Sequence, residues 1–379
     1  MILLKNCNIF EVYKGKYFKG DILIDGKKIK EVDKKIDAAG SDIKIEDVGG
    51  RNVLPGFIDA HSHIGTWTLR HNGNDANECV TPATPALRII DALDPCCKAF
   101  YDAYSSGITS VMITPGSGNV IGGQCAVIKT YGKTKDEMII KFPAALKMAF
   151  GENPKNVYSA QKKSPSSRMA TAAIIRDMLR KAQIYMEKKK YDPLCYDMDL
   201  EAFIPVLRHE IPVKMHAHRA DDIMTAIRIA EEFKIEITLD HCTEGSMITD
   251  YIKDKNIPVL IGPSGMFRSK YELRNAAFET AGILSKVGIS VSIISDHPFQ
   301  NCKYLPVFAG ILAKHGLGEA EALRALTINP AKALRMEDRI GSIEKGKDAD
   351  IVIFDGNPLE ILTKAYKTII NGKIVYENK

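Results

Sequence analysis

Two histidines separated by one serine, His61-Ser62-His63, close the run Val53-Leu54-Pro55-Gly56-Phe57-Ile58-Asp59-Ala60. Side chains at i and i+2 of a strand point to the same face, so both imidazoles can reach one cation. Histidine is a common donor to zinc. Alone, such a pair serves structure as readily as chemistry, but similar residues recur where later apolar runs end. His216 and His218 stand in Val213-Lys214-Met215-His216-Ala217-His218, His241 in Thr238-Leu239-Asp240-His241, and Asp296 in Ile294-Ser295-Asp296-His297-Pro298. Imidazoles with one carboxylate suit an open divalent-metal site. A metal brings the pKa of bound water toward about 7, and a neighbouring carboxylate can carry the proton to a leaving group. Lys147 is a lone charge inside Ala144-Ala145-Leu146-Lys147-Met148-Ala149-Phe150, where an unpaired ammonium is costly to bury.

These residues need a scaffold that brings distant strand ends together. Eight apolar, strand-like runs alternate with helical stretches: 57–63, 108–114, 126–131, 144–150, 213–218, 235–241, 258–262 and 290–296. Continuous apolar runs of this kind read as buried parallel strands. Eight such units predict an α/β fold, a (β/α)8 TIM-type barrel with its chemistry at the C-terminal strand ends, where these polar residues fall. The chain ends read differently, as short strands broken by turns, with Asn371-Gly372 between two β-branched runs as a hairpin signal. Residues 1–52 and 340–379 are each too short for a core of their own and are expected to pair into one small β-sandwich, leaving 53–339 as the barrel. The interval 151–212 is expected to hold helices over 169–190 and 199–209 and to form part of a lid.

The 379 residues carry a net charge of +5 with the basic residues scattered, which argues against nucleic acid as a partner. No apolar run approaches membrane-spanning length, and Met1 to Asn6 holds too short an apolar stretch for a signal peptide. The eight cysteines show no regular framework, so reduced thiols in a cytoplasm are expected. Self-association stays open.

At the histidine motifs the sequence resembles the amidohydrolase superfamily of metal-dependent hydrolases, over essentially its whole length. The resemblance rests on Pro55 to His63 (PGFIDAHSH), on Ala325 to Leu334 (ALTINPAKAL) and on Arg339 to Val352 (RIGSIEKGKDADIV). It implies a barrel with a split β-sandwich, in agreement with the pattern above. It also implies that His61 and His63 are strand-1 metal ligands, His216 the strand-5 ligand and His241 the catalytic strand-6 histidine. Asp296 becomes the strand-8 aspartate that holds metal and takes the proton of the attacking water. The cofactor implied is one or two divalent metals, zinc first, with Mn, Fe or Co accepted by the same donors. Binuclear members carry a carboxylated strand-4 lysine that bridges the metals, and Lys147 matches it. A Lys147 turned to solvent and a carboxylate from Glu152 are the alternatives.

One departure bears on the reaction. Deaminase and imidazolonepropionase members place a glutamate three residues after the strand-5 histidine, where this chain has Arg219. The His-Ala-His of strand 5 looks more like prolidase-like members. Hydrolysis of an amide or cyclic amide in a small, carboxylate-bearing substrate is therefore the leading reading. A mononuclear deaminase-like or imidazolonepropionase-like member is the alternative, and a catalytically inactive scaffold barrel comes last because every ligand is retained. Arg219 is expected to bind the substrate carboxylate, and His218 to serve as a substrate or supporting group, or as a core histidine. Arg268 and Lys270 follow strand 7, the loop 70–78 is unusually polar, and the glycine-rich stretch 115–124 offers backbone N–H groups to an anion. Cys242 reads as packing.

Overall fold

The computed structural model describes residues 1–37, 43–68, 73–264 and 268–378. Arg70, His71 and Asn72 of the polar first loop lie outside them. Sixteen strands follow in chain order: β1 Ile2–Glu11, β2 Lys16–Asp25, β3 Lys28–Asp33, β4 Lys44–Asp47, β5 Asn52–Pro55, β6 Phe57–Ser62, β7 Ile108–Ile113, β8 Ile121–Lys129, β9 Ile139–Ala149, β10 Val213–Ala217, β11 Ile237–His241, β12 Val259–Ile261, β13 Val291–Ile293, β14 Ile351–Phe354, β15 Ala365–Ile370 and β16 Lys373–Glu377.

Strands β6 to β13 pair in sequence order into one eight-stranded sheet. The edges meet where Asp296 N donates to His61 O (3.1 Å) and His63 N donates to His297 O (2.9 Å). The seam of the barrel thus runs through the histidine motif. Leu146, Met215, Leu239, Val259 and Ile293 belong to the main core and are fully buried, in line with a parallel sheet covered on both faces.

One strand departs from the expected eight parallel units. β8 runs antiparallel to both β7 and β9. Only residues 114–120 separate β7 from β8, whereas a parallel crossover needs a dozen residues or more. The glycine-rich stretch is accordingly divided, with 115–120 forming the turn and Ile121 to Gln124 opening β8. A side chain on Gly116 would collide with Asn77 at 2.2 Å, and Gly118 N donates to Asn77 Oδ1 at 2.8 Å. These glycines allow close packing, and the N–H of Gly118 is already taken.

The helix Arg168–Lys189 is capped by Ser167, whose side chain accepts from Ala170 N, and buries Ala172, Ile175, Leu179 and Ala182 at helical spacing. It packs against the helix Ala220–Phe233 and so belongs to the barrel's outer layer, which corrects the expected lid. The second expected helix, 199–209, is two short ones, Met198–Glu201 and Ile204–Leu207, parted beside Pro205 at the start of the second, a position where proline is tolerated.

The two chain ends share one eight-stranded sheet, in the order β16-β15-β14-β5-β1-β2-β3 with β4 against β1. β14 from the C-terminal part pairs with β5 from the N-terminal part. One apolar cluster takes Leu4, Ile9, Ile22 and Ile24 from one end and Ile351, Ile353 and Ile369 from the other. The hairpin at Asn371-Gly372 joins β15 to β16, with φ of +50° and +72°, as such two-residue turns require.

Candidate metal centre and active site

The polar residues at the strand ends converge. His61, His63 and Asp296 bring one ligand atom each to within 4.8 Å of one another, and His216, His218 and His241 do the same. The two groups adjoin, with the rings of His61 and His241 centred 5.0 Å apart and those of His216 and His241 4.4 Å apart. Asp296 Oδ1 lies 3.1 Å from His63 Nε2 and 3.4 Å from His61 Nε2. His241 and Asp296 both hold positive φ, +75° and +51°, a conformation uncommon in residues other than glycine.

The partners of the rings fix which nitrogen is free. His61 Nδ1 meets Asp240 Oδ2 (2.6 Å), His63 Nδ1 meets Thr114 O (2.8 Å) and His241 Nδ1 meets Gly262 O (2.5 Å). A carbonyl or carboxylate can only accept, so these Nδ1 atoms carry the proton and each Nε2 keeps its lone pair. His218 Nδ1 is held by Thr243 Oγ1 at 2.7 Å. His241 Nε2 is buried with no hydrogen-bond partner. Rings oriented through Nδ1 with an open Nε2 are the arrangement of metal-ligating histidines. The residues present therefore fit a divalent cation in each group.

Electrostatics agree. Burial pushes the imidazole pKa of His241 down to about 3 and that of His216 and His218 well below the usual value, so the rings are neutral donors. Burial alone would raise the Asp296 carboxyl, but the rings of His61, His63 and His241 set around it hold it well below the usual carboxylate range. It is ionised.

Lys147 is buried, not turned to solvent, and its Nζ lies 3.3 Å from His61 Nε2. Burial pushes its amine down to about 8, and its charge is felt by His61, His216 and His241 alike.

A cavity of about 430 Å³ opens in front of them, bordered by Trp67, Phe299, Asn153, Lys270, His216 and Asp296. A second, of about 350 Å³, is lined by His241, Ser264, Arg268 and Glu279.

A model of the amidohydrolase family matches residues 52–375. The chain belongs to the amidohydrolase family. An amidohydrolase from Thermotoga maritima MSB8 superposes on it with a TM-score of 0.96 at 42% identity, each chain covered completely. A prolidase solved with N-methylphosphonate-L-proline matches at a TM-score of 0.67 and 18% identity, again over both whole chains, which speaks for the fold alone. The amidohydrolase tasK of Hapsidospora irregularis is 28% identical over 397 residues, covering 96% of this chain, which spans only 40% of that relative's length. The imidazolonepropionase of Thermoplasma acidophilum is 24% identical over 387 residues, covering 95% of this chain and 90% of its own.

Within this amidohydrolase, Arg219 is engaged by a neighbour in its own helix. It caps the start of the helix Ala220–Phe233, and its fork closes on Asp221, Nε to Oδ1 at 3.0 Å and Nη2 to Oδ2 at 2.8 Å. The nearest carboxylate is two residues away in the first helical turn, so the pair forms locally. Cys242 is buried and its thiol is pushed up to about 12 by burial, which leaves no thiolate nucleophile.

Two supporting residues escape sequence reasoning. Asp240 accepts from Lys214 (3.0 Å) and holds His61. It precedes His241 on β11, and both reach His61, Asp240 at Nδ1 and His241 with its ring centred 5.0 Å away. Glu272, buried, has Oε1 3.7 Å from His218 Nε2, 4.0 Å from His216 Nε2 and 2.7 Å from Lys270 Nζ. It, rather than Glu152, brings a carboxylate to the histidines. Glu152 contributes its backbone N–H, donated to Glu272 Oε2 at 3.0 Å. Asp240 was legible in the DH pair at 240–241. Glu272, in an irregular loop, left no signal.

Proposed function

We propose that this amidohydrolase cleaves the carbon–nitrogen bond of an amide or cyclic amide in a small substrate. The observation that carries the reading is the pair of three-residue donor groups, sharing one barrel mouth and opening onto one cavity. His61, His63 and Asp296 would hold one divalent cation and His216, His218 and His241 a second. A cation bound there supplies an acidic water and polarises the scissile carbonyl.

The chain's own residues supply the rest. Asp296, ionised at the edge of the cavity, accepts a proton from the attacking water and returns it to the leaving nitrogen. Asp240, Gly262 O and Thr114 O keep the imidazoles turned with Nε2 inward. Trp67 and Phe299, edge to face at 4.9 Å, wall one side of the cavity against water. Lys147, a buried amine of lowered pKa beside His61, would take up CO2 with loss of a proton and as a carbamate would add carboxylate-type donors to the imidazoles. We take the barrel within 53–339 as the catalytic unit, braced by the one sheet formed from 1–52 and 340–379, which β5 extends to Pro55.

Glu272 favours a second reading. A deaminase needs a carboxylate to shuttle protons at the substrate ring, and Glu272 offers one from the strand-7 loop where position 219 does not. Metal-loaded protein assayed against N-acyl amino acids, dipeptides, cyclic amides and aminopyrimidines separates the two. Release of amine or ring-opened acid from the first three is expected, and ammonia released only from aminopyrimidines would replace hydrolysis by deamination.

A further inference from the structure

The cations that sequence reasoning offers to a substrate differ in whether they are free. Arg219 is closed on Asp221. Lys270, on the larger cavity, is neutralised by Glu272 at 2.7 Å and also donates to Asn153 Oδ1 at 3.1 Å. Arg268 is exposed, borders the smaller cavity, and forms no hydrogen bond or ion pair among the described residues. Ser264 lines the same cavity at 8% exposure, with its Oγ buried and lacking any partner. A buried hydroxyl left unsatisfied is destabilising, and a bound acceptor would satisfy it. The remaining charge on the cavity, Glu279, is paired with His315 at 2.8 Å. Thr243 is engaged with His218 and Thr280 with Ser246.

We infer that this second cavity is an anion subsite in which Arg268 and Ser264 take a carboxylate of the substrate, while the scissile group sits at the histidines. Both of its open polar groups can donate, and a guanidinium fork matches a carboxylate's two oxygens. His241 lies at the inner end, so an anion held there is tethered within one small molecule's reach of the donor groups. The cavity's roughly 350 Å³ suits a substituent of a few heavy atoms rather than a polymer. This rests on the hydrolytic reading only in making the carboxylate part of the cleaved molecule.

The test compares N-acetyl amino acids with their carboxamides, as substrates of the metal-loaded enzyme and as ligands of the metal-free protein. Trp67, the chain's single tryptophan, borders the adjoining cavity and reports binding by fluorescence. Wild type is expected to prefer acids over carboxamides, and Arg268→Met to reduce that preference about 10- to 100-fold, the range of charged hydrogen bonds. Ser264→Ala should reduce it about 3- to 10-fold. A preference untouched by Arg268→Met, or no preference in wild type, overturns the subsite while any amide turnover upholds the hydrolase. Acids that bind in an Arg268-dependent way without being cleaved uphold the subsite and remove the hydrolase. Acids neither bound nor cleaved overturn the subsite.

Discussion

Two buried polar clusters lie in different parts of the molecule, and only one is complete. Where the terminal sheet meets the barrel, Lys129 is fully buried and donates to Asp348 at 3.0 Å and to Asp350. Asp348 also receives Lys28 (2.8 Å) and Arg339 (3.0 Å), and Asp350 receives Asn371 N (2.9 Å). Every charge there has an opposite charge or a donor against it. At the mouth, by contrast, neutral imidazoles turn their lone pairs toward one another and toward one carboxylate, and His241 Nε2 has nothing to bind. A satisfied cluster rewards folding, whereas an unsatisfied one costs stability and persists where a ligand completes it. Burial alone does not separate a structural charge from a working one. Satisfaction does.

Substitutions should break the two clusters in different ways. The largest effect is expected from Asp296→Asn, which keeps the side chain's size but removes the proton acceptor. kcat should fall about 10²–10⁴-fold with a smaller change in KM, measured alongside metal content. Near-normal turnover by a fully metallated variant would move the base elsewhere, with Glu272 the nearest candidate. Lys129→Met should act in the opposite way. It leaves Asp348 and Asp350 short of a buried cation and should cost about 3–5 kcal/mol in denaturant unfolding, with little change in kcat for the molecules that remain folded. A large kcat loss at full stability would show that the two regions are coupled.

Lys147→Ala sharpens the mouth itself. If the amine becomes a bridging carbamate, the variant should bind about half the metal by elemental analysis, and any bicarbonate dependence of wild-type reconstitution should disappear. Full loading of the variant would make the groups independent of Lys147. The smallest effect belongs to Arg219→Met. An exposed local pair contributes about 0–1 kcal/mol, so stability and kcat/KM on anionic substrates should barely move. A loss confined to anionic substrates would return Arg219 to the site.

The difference between what was and was not legible has a physical basis. His61, His63, His216, His241 and Asp296 stood out because titratable side chains at the ends of apolar strands break a local pattern that composition otherwise explains. The hairpin at Asn371-Gly372 was legible because few residues tolerate its backbone. The direction of β8 was not, since an apolar run has no visible orientation, and only the short connection 114–120 excludes a parallel crossover. The pairing of Arg219 with Asp221 was not legible either, since sequence adjacency does not say which of several neighbouring charges a side chain meets.

The sequence by itself determined the residue types, their alternation along strands and hence the chemistry available to this protein, because those depend on local periodicity and donor identity. Only the tertiary structure decided that the donors form two adjoining groups, that Asp240 and Glu272 stand behind them, and that Arg219 and Lys270 are paired while Arg268 has no partner among the described residues. Such facts depend on which long-range neighbour reaches a charge first, and pairing across the barrel leaves no mark on any short stretch of chain.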